Sequence, residues 1–112
     1  METAIKMARR WGYERKGIAK TEAKVVVCAG NIHGRTITII SASSDPDSNT
    51  RFGPYTPGFV TIPYNDIPAL EQAIEDPTVC AFLVEPIQGE AGVFVPADDY
   101  LGKAIRACKA RD

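Results

Sequence analysis

The chain has 112 residues, 45% of them apolar and 24% charged, with 13 basic residues against 14 acidic ones. That balance excludes an intrinsically disordered chain and leaves no basic field to hold nucleic acid or an anionic membrane. The apolar runs fall far short of the roughly 18–20 residues that cross a bilayer, and the length suits one small domain.

Met1-Glu2-Thr3-Ala4 opens on an acid, so no signal peptide is expected. From Met1 to about Arg15 the chain reads as a helix, with Ala4, Ile5, Ala8 and Trp11 on one face and Glu2 placed to pair with Lys6. Gly12 and Gly17 are expected to mark its end. No capping residue precedes it, which fits either a segment cut from a longer chain or a helix beginning at an initiator methionine. Lys16 to Glu22 is a polar connection, and Lys24 to Ala29 reads as a buried strand broken by Gly30-Asn31. Ile37-Thr38-Ile39-Ile40 is a strand by propensity, or a short helix if packing overrides propensity.

Ser41 to Gly58 is rich in Ser, Asp, Asn, Pro and Gly and reads as a loop. Phe52, Pro54 and Tyr55 give it apolar anchors, which suit packing against another surface such as a second subunit. Phe59 to Pro63 is a short extended piece. Asn65-Asp66 can cap a helix from Ile67 to Glu75, with Pro68 in its first turn and Asp76-Pro77 at its end.

Val79 to Val84 is six apolar residues in a row, the pattern of a strand covered on both faces. Glu85-Pro86 stops it, and Gln88, Glu90 and two glycines follow. Two carboxylates after a buried strand fit a ligand-binding loop, because ligands of open α/β sheets bind beyond the carboxyl ends of strands. They equally fit an ordinary strand exit with solvated acids. Asp98 or Asp99 opens a last helix running to about Arg111, with Leu101, Ala104, Ile105 and Cys108 as its apolar stripe. This alternation predicts an α/β fold with a mostly parallel sheet flanked by helices. Cys28, Cys80 and Cys108 read as small buried thiols, and with a single histidine no metal site is expected.

The series Asn31-Ile32-His33-Gly34-Arg35-Thr36, Phe52-Gly53-Pro54, Pro57-Gly58-Phe59, Pro63-Tyr64-Asn65-Asp66 and Val84-Glu85-Pro86-Ile87-Gln88-Gly89-Glu90-Ala91-Gly92-Val93 closely resembles the class III pyridoxal-phosphate-dependent aminotransferases. Ser43-Ser44-Asp45-Pro46 and the alanine at position 91 favour the branch of that class that uses ornithine. The resemblance runs along essentially the whole chain, but it implies only an internal fragment: residues 1–112 as one incomplete part of the large, cofactor-binding domain of a fold-type I homodimer. The implied reaction moves the terminal amino group of ornithine to 2-oxoglutarate. The implied partners are therefore an amino acid, a 2-oxo acid and a second subunit.

On that resemblance Arg35 and Glu90 are substrate-binding. Arg35 would grip a carboxylate through two parallel hydrogen bonds, and Glu90 would face the substrate end and hold off a second arginine elsewhere in the protein. Ile32, His33 and Glu85 would be cofactor-binding, with Glu85 in a supporting position or simply a structural acceptor. Ile32 departs from the family, which usually places an aromatic there; the stacking lost is about 0.5–1.5 kcal/mol. The lysine that tethers the cofactor and the aspartate facing its pyridine nitrogen are expected beyond residue 112, and the phosphate-gripping turn before Met1. No catalytic residue is therefore expected in this chain, and alone it should be inactive. Two other readings remain. One is a short binding module that docks on a full-length subunit through residues 41–59. The other is a hydrolase using Glu85 and Glu90 as an acid/base pair roughly 5–9.5 Å apart.

Overall fold

The computed structural model describes residues 1–90 and 92–112. In chain order it contains α1 (Glu2–Glu14), β1 (Lys24–Cys28), α2 (Ile37–Ser41), α3 (Pro46–Asn49), β2 (Phe59–Ile62), α4 (Ile67–Ala73), β3 (Val79–Leu83) and α5 (Tyr100–Arg111). Among the described residues the strands form one sheet in the order β2-β1-β3, and both pairings are parallel. The fold is thus α/β with a small parallel sheet flanked by helices, as expected from the alternation of elements.

The central strand explains its own composition. Val25 to Cys28 are no more than 1% exposed, because β1 is flanked by a strand on each edge and by packed side chains on each face. Burial of each valine contributes about 1.5–3 kcal/mol. Side chains alternate between the faces. Val26 and Cys28 join Ile62, Leu70, Ile74, Val79 and Ala104 under α4 and α5. Val25 and Val27 join Ala42, with Phe59, Ala81 and Leu83 packed alongside.

β3 takes five of the six apolar residues of the Val79–Val84 run and, among the described residues, is less covered than β1. It lies at an edge of the sheet; Val79 is buried, but Cys80 to Leu83 are only partly so. Its register also slips: Lys24 pairs with Val79 and Val25 with Ala81. This bulge leaves Cys80 unopposed and turns both Cys80 and Ala81 toward the Val25 face.

That arrangement determines how α1 sits. Ile5 and Gly12 are its buried residues, whereas Ala4 is exposed and Trp11 is 40% exposed, so the expected stripe is rotated. Gly12 does not end the helix. It lets α1 approach β3: a Cβ at this position would stand 2.9 Å from Cys80 Cβ and 2.9 Å from Ile18 Cδ1. Glu2 does not turn to Lys6 but accepts a hydrogen bond from Thr36 Oγ1 at 2.7 Å.

Ile37 to Ser41 resolves as a helix, against β propensity. Thr36 Oγ1 caps it by accepting from Ile39 N at 3.3 Å, and its adjacent Ile39 and Ile40 are both buried; packing has overridden propensity. Within the expected loop, Asp45 caps the single turn α3, accepting from Asp47 N at 3.0 Å. The remainder of the loop is tied down by Thr56 N to Ser41 Oγ (2.8 Å) and Arg9 Nη2 to Pro57 O (2.8 Å). Phe52 and Tyr55 stay about half exposed.

Asp66 caps α4, accepting from Ala69 N at 2.9 Å with Pro68 in the first turn. Asp99 precedes α5 but makes no capping bond; it pairs with Lys103 at 2.7 Å. The buried residues of α5 are Tyr100 and Ala104, while Ile105 faces out. No helix of the described residues is long and apolar enough to cross a membrane.

Two tests follow from this packing. Gly12→Ala gains about 1 kcal/mol of helix propensity but overpacks the α1–β3 contact at about 1–3 kcal/mol, so the denaturation midpoint should fall. Cys80→Ala should not rescue it, since the clash with Cys80 is at Cβ; Cys80→Gly should relieve that clash and leave only the contact with Ile18 Cδ1, the end of a side chain that can turn aside. The second concerns Asp76. Its carboxyl accepts from Thr78 Oγ1 (2.7 Å), Thr78 N (2.9 Å) and Lys24 Nζ (2.9 Å), which together hold it at about 2 rather than 3.8. The unfolded chain therefore binds the extra proton first, so this contribution is intact above about pH 4 and lost as pH falls toward 2. Asp76→Asn should flatten the melting temperature across that window.

Candidate functional site

Parallel strands all end at one edge, and the candidate residues collect there. After Cys28 the chain leaves β1 through Ala29 and Gly30, the latter at φ +77°, a conformation that glycine adopts without steric cost. Regular pairing stops, yet the backbone groups find partners. Ala29 N donates to Ile62 O at 2.8 Å. Ala29 O accepts from Gln88 Nε2 at 2.9 Å. Gly30 N donates to Ser44 Oγ at 2.8 Å, and Ile32 N donates to Glu85 Oε1 at 2.7 Å.

Asn31 is 2% exposed. Its Nδ2 donates to Cys28 O (2.7 Å) and Ala42 O (2.8 Å). Two carbonyl partners demand the amide nitrogen at that position, which fixes the orientation of the side chain. From the β2 side, Tyr64 OH donates to Glu85 O at 2.8 Å, with Pro86 O at 3.0 Å. The Tyr64 ring meets Tyr100 edge-on, centroids 5.6 Å apart.

Ile32 and Glu90 line one cleft of about 470 Å³, with Gly30, Asn31, Ser44 and Asp45. Glu85 supports Ile32 through the backbone. His33 is half-buried and its Nε2 has no hydrogen-bond partner among the described residues. Burial lowers its pKa, and the nearby Glu85 carboxylate opposes that shift. Arg35 is exposed and lies apart, in a neighbouring groove of about 320 Å³ with Gly34, Ile37, Ile40, Asp47, Ser48 and Phe52. Ala91, one of the residues favouring the ornithine-using branch, is outside the described residues.

Three residues to which the sequence assigns no role, Asn31, Gln88 and Tyr64, hold the strand exits together. The available signal is a polar amide at each break: Asn31 directly after Gly30, and Gln88 between Pro86 and Gly89. Nothing in this geometry favours Glu85 and Glu90 as a hydrolytic pair: one Glu85 oxygen is bonded to Ile32 N.

This chain belongs to the class-III aminotransferase family, whose pattern it matches along residues 1–112. It is 60% identical over 107 residues to the mitochondrial ornithine aminotransferase of Rattus norvegicus, covering 96% of this chain and 24% of the rat protein. The crystal structure of ornithine aminotransferase from Toxoplasma gondii superposes with a TM-score of 0.97 at 52% identity, covering 98% of this chain and 26% of that one. Acetylornithine aminotransferase from Elizabethkingia anophelis superposes with a TM-score of 0.74 at 54% identity, again over 98% of this chain and 26% of that one. The chain thus spans about a quarter of the length of the relatives it matches.

The class implies pyridoxal phosphate. Ile32 offers the cleft an apolar surface suited to one side of a flat ring; Glu85 holds its amide and Asn31 holds the chain leading into it. Among the described residues the cleft lining contains no lysine to tether the group and no arginine to neutralise its phosphate. The fit is to one face only.

The His33 imidazole should titrate below 6.5 in a proton NMR series. Because Glu85 is the group holding that value up, Glu85→Gln should lower it further. An upward move would show that the carboxylate does not act on His33.

Proposed function

We propose that this chain is part of the cofactor-binding domain of an aminotransferase that transfers the terminal amino group of ornithine to 2-oxoglutarate. The observation that carries the reading is the cleft beyond the carboxyl ends of the strands, which Ile32 and Glu90 both line and where Glu85 fixes the Ile32 backbone. The 60% identity to an ornithine aminotransferase supports it. Residues 1–112 act as one partial domain in this reading. Nothing observed favours the binding-module alternative.

Each residue then has a physical task. Ile32 packs against one side of the cofactor ring and excludes water from it. His33, kept neutral by burial, lies beside that position. Glu85 takes no part in bond making; it holds the Ile32 amide, and so the ring-side surface, in place. Glu90 puts a carboxylate on the cleft wall, where it favours an ammonium group and disfavours a second carboxylate. Arg35 binds the substrate carboxylate from its own groove, as a planar guanidinium does through two parallel bonds. Pyridoxal phosphate, when bound, supplies the electron sink for the amine-bearing carbon. The tethering lysine and the phosphate-binding groups come from outside this cleft lining. A homodimer belongs to the same proposal. The half-exposed Phe52 and Tyr55, and exposed Val93 to Val95, provide apolar surface for a subunit contact.

A chimera tests the reading: the 112 residues replace the aligned section of the rat enzyme. It should form glutamate from ornithine and 2-oxoglutarate, and Arg35→Lys should lower kcat/KM by about tenfold or more, the loss of a bidentate grip. A cofactor-loaded chimera that prefers acetylornithine to ornithine would overturn the substrate assignment. The 112 residues alone, supplied with cofactor and both substrates, should form no glutamate; turnover by them would refute the partial-domain reading.

A further inference from the structure

Gln88 is the least exposed polar side chain of the loop after β3, at 4%. Its amide nitrogen donates to Ala29 O across 59 residues of chain, at 2.9 Å. Its amide oxygen lies over Gly30: a Cβ there would stand 3.0 Å away. Its backbone exchanges both hydrogen bonds with Phe94, N to O at 3.0 Å and O to N at 2.8 Å. Among the described residues, Gln88 is therefore the one that grips the β1 exit with its side chain and closes the excursion carrying Glu90 with its backbone. Glu90 follows two residues later and lines the same cleft as Gly30 and Ile32.

We infer that Gln88 is a positioning residue, setting the separation between the Glu90 wall and the Gly30–Ile32 loop and hence the shape of the cleft. The inference rests on the proposed reading only in assigning that cleft to an amino-acid substrate. Glu85 pins one point of the β1 exit through Ile32 N; Gln88 pins the other through Ala29 O. A loop held at two points keeps its place only while both hold. Glycine at position 30, at φ +77°, lets the amide lie this close.

The first test uses the 112-residue chain, isotope-labelled, with Gln88→Met and Gln88→Glu compared with the parent. Methionine keeps the length and removes the donor; glutamate keeps the shape and cannot donate when ionised. In both, the Ile32 amide should exchange about tenfold faster, the factor that one lost hydrogen bond allows, while amides of β1 and α5 keep their protection. An unchanged Ile32 amide overturns the inference. Loss of protection throughout both variants also overturns it, by placing Gln88 in the fold rather than in the cleft. The second test introduces Gln88→Met into the chimera. The KM for ornithine should rise about tenfold, with kcat within about twofold, the pattern of lost binding. A fall in kcat with KM unchanged would contradict a positioning role. If the parent chimera does not use ornithine although the exchange result holds, the functional reading fails and the positioning inference stands.

Discussion

The Ile32 amide must find an acceptor once β1 has ended, and the carboxylate of Glu85 supplies it at 2.7 Å. Much of the site depends on this bond. A strand that stops inside a domain leaves backbone groups that ladder pairing no longer satisfies, and each one stranded costs about 1–3 kcal/mol. Here the partners are side chains from three separate places. Glu85 and Gln88 come from the β3 exit, Ser44 from the loop before α3, and Asn31 turns back on Cys28 O and Ala42 O. A bond to a charged acceptor is worth about 1.5–3 kcal/mol, so Glu85 is the strongest of these attachments. It also explains why an acid follows a buried strand directly.

The same geometry sorts what can be read from the sequence. β1 is legible because a central parallel strand must be apolar on both faces, and Val25-Val26-Val27-Cys28 has no other use. α4 is legible because Asp66 and Pro68 are local instructions whose effect depends little on the rest of the fold. β3 carries the same apolar signal as β1, yet among the described residues it pairs on one side only; composition records that a strand can be covered, not which neighbour covers it. The α1 stripe is not legible, because its register is set by β3. The bulge at Cys80 places that side chain where only glycine fits on the helix, so Gly12 faces inward and Trp11 turns out. The Ile37–Ile40 ambiguity is real: the β preference of three isoleucines is small against the burial of Ile39 and Ile40 and the Thr36 cap.

For the site, the sequence names residues better than it names contacts. Ile32 and Glu90 line one cleft and Glu85 supports Ile32, but Arg35, three residues from Ile32, opens into a different groove. The turn through Gly34, at φ +139°, separates them. A motif read as one string is divided in space at its glycine. Gln88 lies between Glu85 and Glu90 in the other motif without a legible role, because its partner, Ala29 O, is 59 residues away and is a backbone atom.

Burial also sets the charge of this end of the sheet. The Cys28 thiol is pushed up chiefly by burial, beside the Tyr100 hydroxyl at 3.7 Å, and the Tyr64 and Tyr100 phenols are pushed up as well. His33 is pushed down. All four groups thereby favour their neutral forms near pH 7, so the fixed charges by the cleft are the carboxylates of Asp45, Glu85 and Glu90. Asp45 spends both oxygens inside α3, on Asp47 N and Ser48 Oγ, and Glu85 spends one on Ile32. Glu90 is the carboxylate on the cleft wall with no such commitment among the described residues. A wall of that character repels an anionic group and attracts an ammonium. On the proposed reading it therefore selects which end of a diamino acid approaches the cofactor, while the carboxylate end is drawn to the separate groove of Arg35. The division of the motif at Gly34 is then the feature that keeps the two opposite charges apart.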